Sequence, residues 1–224
     1  TLIADGAETG LPVSTDTAVD EALALAHGFL GHGGAPDGRG RMKPLIARRG
    51  PPSEHVATLN SPAEHPTLGQ TATGQLVGLE FGQIPAASFA KLATHGALRL
   101  TPWRALLVEG ASNLAPLPGL ILDATDPRLR VSVCTGAPGC TQALSPTRQL
   151  ARDLAPHVPS DTTLHISGCT KGCAHPAPAP LTLTATATDT FNLIRNGTAS
   201  DHPAKTHLSA ADLRASPDLL TKGS

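Results

Sequence analysis

The sequence of 224 residues predicts an α+β protein, and three observations carry that prediction. Residues 12–30 repeat apolar side chains at helical spacing. Residues 181–188 alternate apolar residues with threonine at a strict period of two, which is typical of a strand. Two short strand-like runs, 131–133 and 163–167, lead into glycine-rich loops that carry all four cysteines. The chain therefore combines helices with strands that end in candidate functional loops.

The first predicted element is the helix within residues 12–30. Asp16 or Thr17 is placed to cap it, and acidic residues follow in the first turn, where they favour the helix dipole. The Gly-His-Gly-Gly run at 31–34 is a stop signal.

A basic segment follows at residues 33–50, in a chain whose net charge is only −1. Its five cations are Arg39, Arg41, Lys43, Arg48 and Arg49. Two interpretations stay open, because such a run either binds the carboxylates of a polyanionic ligand or forms a solvated surface. Residues 51–73 are rich in Pro, Ser, Thr and Gly and predict a linker, in which His55 and His65 face solvent.

The segment from 74 to 124 predicts a strand, a helix and two more strands. Residues 75–82 alternate like a strand, and residues 85–94 have helical spacing with a proline near the first turn. Residues 98–109 predict two strands broken at Pro102, since proline cannot donate to a ladder. The order of the elements is therefore β-α-β-β.

Three elements are predicted after the first cysteine pair. Ser145 as cap and Pro146 at the first position predict the start of a helix between the two pairs. The strand at 181–188 is expected to form a hairpin with 191–195, and a short capped helix is predicted at 209–215. The helix between the pairs would pack on the sheet and set their spacing.

The four cysteines form two close pairs. Cys134 and Cys140 enclose five residues, and Cys169 and Cys173 enclose three. Thiolates suit iron–sulfur clusters, zinc and copper(I), and one cluster uses four of them. Structural zinc pairs lie two to four residues apart, which only the second pair satisfies. The spacing favours an iron–sulfur or other metal site, while two disulfides and inert buried thiols remain alternatives.

Residues around the cysteines suggest further roles. Gly136, Gly139, Gly168 and Gly172 are expected to let the backbone approach the sulfurs and direct N–H groups toward them. His175 either lies near a second iron or a cluster sulfur, or only shapes the exit of the loop. Lys171 either binds a substrate carboxylate or extends into solvent.

Composition excludes some partners. The chain has a near-neutral pI and no basic strip interleaved with aromatic residues, so nucleic acid is not an expected partner. No apolar run approaches the length of a membrane span, and we expect a cytoplasmic protein.

The two cysteine motifs, C-x5-C and C-x3-C, resemble those of the sulfite and nitrite reductase superfamily. Within it, residues 167–176 and 100–104 resemble the precorrin-3B synthase branch, and the resemblance covers about residues 74 to 180. Sirohaem-carrying reductases usually have Pro-Asn where this chain has Thr170 and Lys171, which disfavours sirohaem. The resemblance implies a ferredoxin-like half-domain at 74–124, followed by a sulfite/nitrite-reductase-type iron–sulfur domain at 125–224. It also implies that this chain is the C-terminal portion of a longer architecture, in which residues 1–50 form the end of a preceding catalytic half-domain closed by the helix within residues 12–30.

The same resemblance implies a [4Fe–4S] cluster held by Cys134, Cys140, Cys169 and Cys173, with a mononuclear iron as the candidate oxygen-activating centre. The implied activity is the hydroxylation of precorrin-3A and formation of its lactone, with O2 and electrons from NADH. The chain lacks a G-x-G-x-x-G fingerprint after a strand, so a separate NADH-linked donor is expected. The alternatives are a sirohaem-dependent sulfite or nitrite reductase, in which Cys173 bridges cluster and haem, and a non-catalytic zinc or cluster module.

Overall fold

A computed structural model describes residues 1–58 and 66–221 and confirms the α+β class. The chain divides into two compact units, Thr1–Glu64 and His65–Ser224, which are described separately. None of the helices in the described ranges combines the length and the apolar character that crossing a membrane requires.

The first unit contains two short strands and two helices. Its elements are β1 (Thr9–Gly10), α1 (Ala18–Gly31), α2 (Met42–Arg49) and β2 (Ala57–Thr58), and β1 pairs antiparallel with β2. Helix α1 begins later than residue 12 because Ser14 and Thr17 exchange backbone-to-hydroxyl hydrogen bonds and form a turn before it. Thr17 occupies the capping position, as predicted.

The five cations of the basic segment are all exposed. Whether they bind a polyanion or form a solvated surface stays open. The expectation that His55 faces solvent is wrong, because its side chain is buried and lines a cavity of about 570 Å³ beside Leu45 and Ile46. His65 lies outside the described residues.

The second unit begins with a small antiparallel sheet. Its elements are β3 (Gly69–Gln70), β4 (Gly74–Leu79), α3 (Ala86–Ala93), β5 (Leu98–Leu100), β6 (Ala105–Glu109) and β7 (Leu120–Ile121). The strand order is β3-β4-β6-β5, with β7 also on β4, and β6 runs antiparallel between β4 and β5. This split β-α-β arrangement is that of a ferredoxin-like half-domain. Leu92 of α3 packs on Val77, Leu106 and Val108 of the sheet.

A second five-stranded sheet follows. Its elements are β8 (Val131–Val133), α4 (Arg148–Leu154), β9 (Leu164–Ser167), β10 (Ala179–Ala187), β11 (Thr190–Gly197), β12 (Lys205–Ser209) and α5 (Ala210–Ala215). Strands β8, β9 and β10 are parallel, and β11 and β12 continue the sheet antiparallel. Because strand side chains alternate, Leu164 and Ile166 join the core that contains Leu150 and Leu154, while His165 and Ser167 occupy the opposite face. The hairpin of β10 and β11 and the capped helix α5 confirm the sequence predictions.

The predicted start of α4 at Ser145 is wrong, since the helix begins at Arg148. The Ser145 hydroxyl accepts the backbone N–H of Asp189 at 3.0 Å, so it anchors the turn between β10 and β11. The Thr147 hydroxyl donates to the Cys134 carbonyl at 2.9 Å. Ser145, the predicted cap, and Thr147, which occupies the capping position in the structure, thus both use their hydroxyls for tertiary contacts rather than for capping.

The short turn Glu80–Gly82 lies between β4 and α3 in the chain, and its side chains also contact the second sheet. Phe81 has a positive φ of 53°. Its side chain is buried in the core of the second sheet, although in the chain it lies just after β4, a strand of the first sheet. The buried Glu80 carboxylate accepts hydrogen bonds from Arg128 at 2.6 Å and Arg152 at 2.5 Å. The domain boundary between residues 124 and 125 stays a prediction, and these contacts cross it.

Candidate functional site

The first cysteine loop begins where β8 ends. The Cys134 N–H donates to the Ile166 carbonyl at 3.2 Å, which continues the pairing of β8 with β9, and the Cys140 N–H donates to the Gly136 carbonyl at 2.9 Å. Gly136 has a φ of +69°, and a Cβ there would lie 2.8 Å from the Thr147 nitrogen. The loop therefore requires glycine at its tightest point.

The second cysteine loop connects the parallel strands β9 and β10 and carries Cys169 and Cys173. The Ser167 hydroxyl donates to the Cys169 carbonyl at 2.7 Å, and the His175 N–H donates to the Gly172 carbonyl at 3.1 Å. Arg104, in the connection between β5 and β6, donates to the Ala174 carbonyl at 3.1 Å. A side chain of the ferredoxin-like half thus forms a hydrogen bond to the backbone of the second cysteine loop.

The two loops lie side by side, because the carboxyl ends of the parallel neighbours β8 and β9 meet at one edge of the sheet. The Gly168 N–H donates to the Cys134 sulfur at 3.1 Å, and the Leu144 N–H donates to the Gly168 carbonyl at 2.7 Å. A Cβ at Gly168 would lie 2.7 Å from the Ala143 Cβ and 3.4 Å from the Cys134 sulfur. The close approach predicted for Gly168 is therefore present.

At the other three glycines the described contacts are with protein groups and not with a cysteine sulfur. A Cβ would meet Thr147 at Gly136, Thr135 at Gly139 and Ala199 at Gly172, each of them protein packing rather than a sulfur. These glycines let the loops pack on their neighbours. Only at Gly168, within the described residues, does the backbone N–H of one of the four contact a cysteine sulfur.

All four cysteines are free thiols; Cys134, Cys140 and Cys169 are half-buried and Cys173 is exposed. In residues 1–58 and 66–221 no group of three or more His, Cys, Asp or Glu side chains is arranged to hold a metal ion. The chemistry of the donor set fits an iron–sulfur cluster, since it offers four soft ligands on two adjacent loops and one sulfur already accepts an N–H. The ligand assignment stays a prediction.

His165 is a site residue that the sequence reasoning missed. Its side chain is 0% exposed, and neither ring nitrogen has a hydrogen-bond partner in the described residues. Its ring packs against Gly172 of the second cysteine loop and lies 5.8 Å from the ring of His175. Its position in a strand between two apolar residues was the available signal, because alternation places it on the face opposite the core; that other segments cover this face was not predictable from the pattern.

The environment of His165 keeps the imidazole neutral. Burial is the largest cause, and the nearby charges of His175 and Arg104 add to it, so that the pKa falls from 6.5 to about 4. His175 therefore lies beside a buried imidazole at the exit of the loop. Lys171 is exposed, and its two interpretations stay open.

We predict that His165 makes the chain less stable in mild acid. Above pH 6.5 the residue is neutral in both states and contributes no pH dependence; between pH 6.5 and about 4 the unfolded chain binds a proton that the folded chain excludes. The free energy of unfolding should fall by about 2 kcal/mol between pH 7.5 and 5 from this residue. Urea titrations at both pH values measure it.

The variant His165→Leu should reduce this fall, whereas His202→Gln, at an exposed histidine, should leave it unchanged. An equal pH dependence in the wild type and His165→Leu would show that other groups cause it.

Comparisons with known proteins were made for the whole chain. No family model matches it. The structure of the Mycobacterium tuberculosis NirA protein aligns with a TM-score of 0.48 and 19% identity, over 80% of this chain and 44% of that one. A precorrin-3B synthase from Sinorhizobium sp is 34% identical over an alignment of 155 positions that covers 61% of this chain and 34% of the relative. The chain thus spans about a third of the length of the curated relative, and it is similar to a precorrin-3B synthase, as its cysteine motifs predicted.

Proposed function

We propose that this chain forms the cluster-binding part of a precorrin-3B synthase. The observation that carries the proposal is the 34% identity to such a protein, together with two adjacent loops that bear all four cysteines. The activity would be the hydroxylation of precorrin-3A and formation of its lactone, with O2 as oxidant. A separate NADH-linked donor would supply the electrons.

In this proposal the ligands of a [4Fe–4S] cluster are Cys134, Cys140, Cys169 and Cys173. The cluster would supply one-electron transfer when bound. The Gly168 N–H stabilises negative charge on the Cys134 sulfur, and N–H donors to sulfur raise the reduction potential of such centres. Arg104 holds the second loop through the Ala174 carbonyl, so the backbone that carries Cys173 is fixed from the neighbouring sheet.

The visible spectrum of the anaerobically purified chain, before and after dithionite, tests the proposal. We expect broad absorbance that bleaches on reduction, without intense macrocycle bands. Intense haem-type bands would favour a sirohaem-dependent reductase instead. A colourless protein that holds zinc and resists cluster reconstitution would overturn the proposal.

A further inference from the structure

An open cavity of about 960 Å³ lies between the ferredoxin-like half and α4, at the upper end of the size range of small-molecule sites. One wall carries a net positive charge, because it contains Arg128, Arg148 and Arg152 and one carboxylate, that of Glu80. The other wall is apolar and contains Ile84, Pro116 and Leu117. Such a cavity suits a ligand with an apolar body and an anionic edge.

The three arginines differ in how their charge is balanced. Arg128 pairs with Asp126 and Glu80, both at 2.6 Å, and Arg152 pairs with the other oxygen of Glu80. Arg148 has a buried Nε without a hydrogen-bond partner in the described residues. Burial, followed by the neighbouring charge of Arg152, lowers its pKa, and the negative charges of Cys134 and Glu80 oppose this shift without reversing it. An unpaired, partly desolvated cation is a strong site for an anion.

The position of Arg148 connects the cavity with the candidate cluster site. The preceding residue, Thr147, donates its hydroxyl to the Cys134 carbonyl at 2.9 Å. The cationic wall of the cavity therefore borders the first cysteine loop. A ligand anchored on Arg148 would lie beside the residues proposed to hold the cluster.

We propose that this cavity binds a polycarboxylate tetrapyrrole, with one carboxylate on Arg148 and the ring edge on the apolar wall. The inference rests on the proposed function for the identity of the ligand class. Arg148 binds bidentately, because a guanidinium presents two parallel N–H donors to a carboxylate. Arg128 and Arg152, both engaged by Glu80, shape the wall.

Fluorescence titration of the full chain with uroporphyrin III, a fluorescent tetrapyrrole with eight carboxylates, tests the site. We expect Arg148→Met to raise the Kd about tenfold or more, the loss typical of a charge-assisted hydrogen bond. Arg148→Lys keeps the positive charge but loses the two parallel N–H donors of the guanidinium, so its Kd should lie between those of the wild type and Arg148→Met. The matched control Arg99→Met removes an exposed arginine outside the cavity and should change the Kd by less than about twofold.

Three outcomes would overturn the site: no binding of uroporphyrin by the wild type, equal binding by Arg148→Met, or displacement of the porphyrin by an equal concentration of citrate. The last would indicate a small-anion site. If Arg148→Met fails to fold, as circular dichroism would show, the Arg148→Lys titration decides. Failure of the proposed function is read separately, from the absence of the iron–sulfur spectrum in the wild type.

Discussion

Replacing Cys134 with serine will remove nearly all iron, acid-labile sulfide and visible absorbance from the anaerobically reconstituted chain. The chain contains four cysteines, and one cluster uses all four thiolates, so no spare ligand can substitute. A serine hydroxyl is a hard, weakly acidic ligand that binds iron–sulfur clusters poorly. Metal and sulfide analysis together with the visible spectrum measure the loss.

The matched control is Thr135→Ser, which changes the adjacent exposed residue and should retain the full cluster content. Serine at Cys140, Cys169 or Cys173 should reproduce the loss seen at Cys134. A Cys134 variant with undiminished iron and sulfide would refute the four-cysteine assignment. Retention of the fold should be checked by circular dichroism, because Cys134 also accepts a hydrogen bond from Gly168.

Replacing Glu80 with alanine should lower the free energy of unfolding by about 3 kcal/mol. The carboxylate is buried and binds Arg128 through one oxygen and Arg152 through the other, so its removal leaves Arg152 without a carboxylate partner and Arg128 with Asp126 alone. Breaking a buried pair by removing one partner costs far more than the pair itself contributes. The urea midpoint of unfolding measures the change.

Glu109→Ala provides the contrast, since Glu109 pairs with the exposed Arg99 at the rim of the first sheet. Exposed ion pairs contribute little, and we expect a change within about 0.5 kcal/mol. If the free energy of unfolding falls equally in Glu80→Ala and Glu109→Ala, then burial does not make the ion pairs of Glu80 more stabilising than an exposed pair.

Local patterns predicted the elements of this chain, and long-range contacts determined the rest. The strand–loop placement of the cysteines and the β10–β11 hairpin follow from periodicity and from glycine and proline, which act over a few residues. Ser145 satisfied the rule for a helix cap, but its hydroxyl binds Asp189, 44 residues away. Only a tertiary contact could reveal that competition.

The same distinction applies to the candidate site. The cysteine spacing predicted a metal or iron–sulfur site, and the ligand assignment stays a prediction; the contact between Cys134 and Gly168 shows that the two loops meet. Glu80 and Arg152 are 72 residues apart, so no window of sequence pairs them. His165 and His55 looked unremarkable in sequence, since burial of a lone histidine depends on what other segments place over it.

Phe81 and Glu80 make the cysteine region dependent on a segment that lies before it in the chain. A fragment starting at residue 125 would keep every thiol, yet it would lack the aromatic ring that fills the core beneath β8 and α4. It would also leave Arg128 and Arg152 without Glu80, their shared carboxylate. We therefore do not expect the segment with the cysteine motifs to keep its structure when it is moved alone into another protein, because residues that support it lie some fifty positions before the first cysteine.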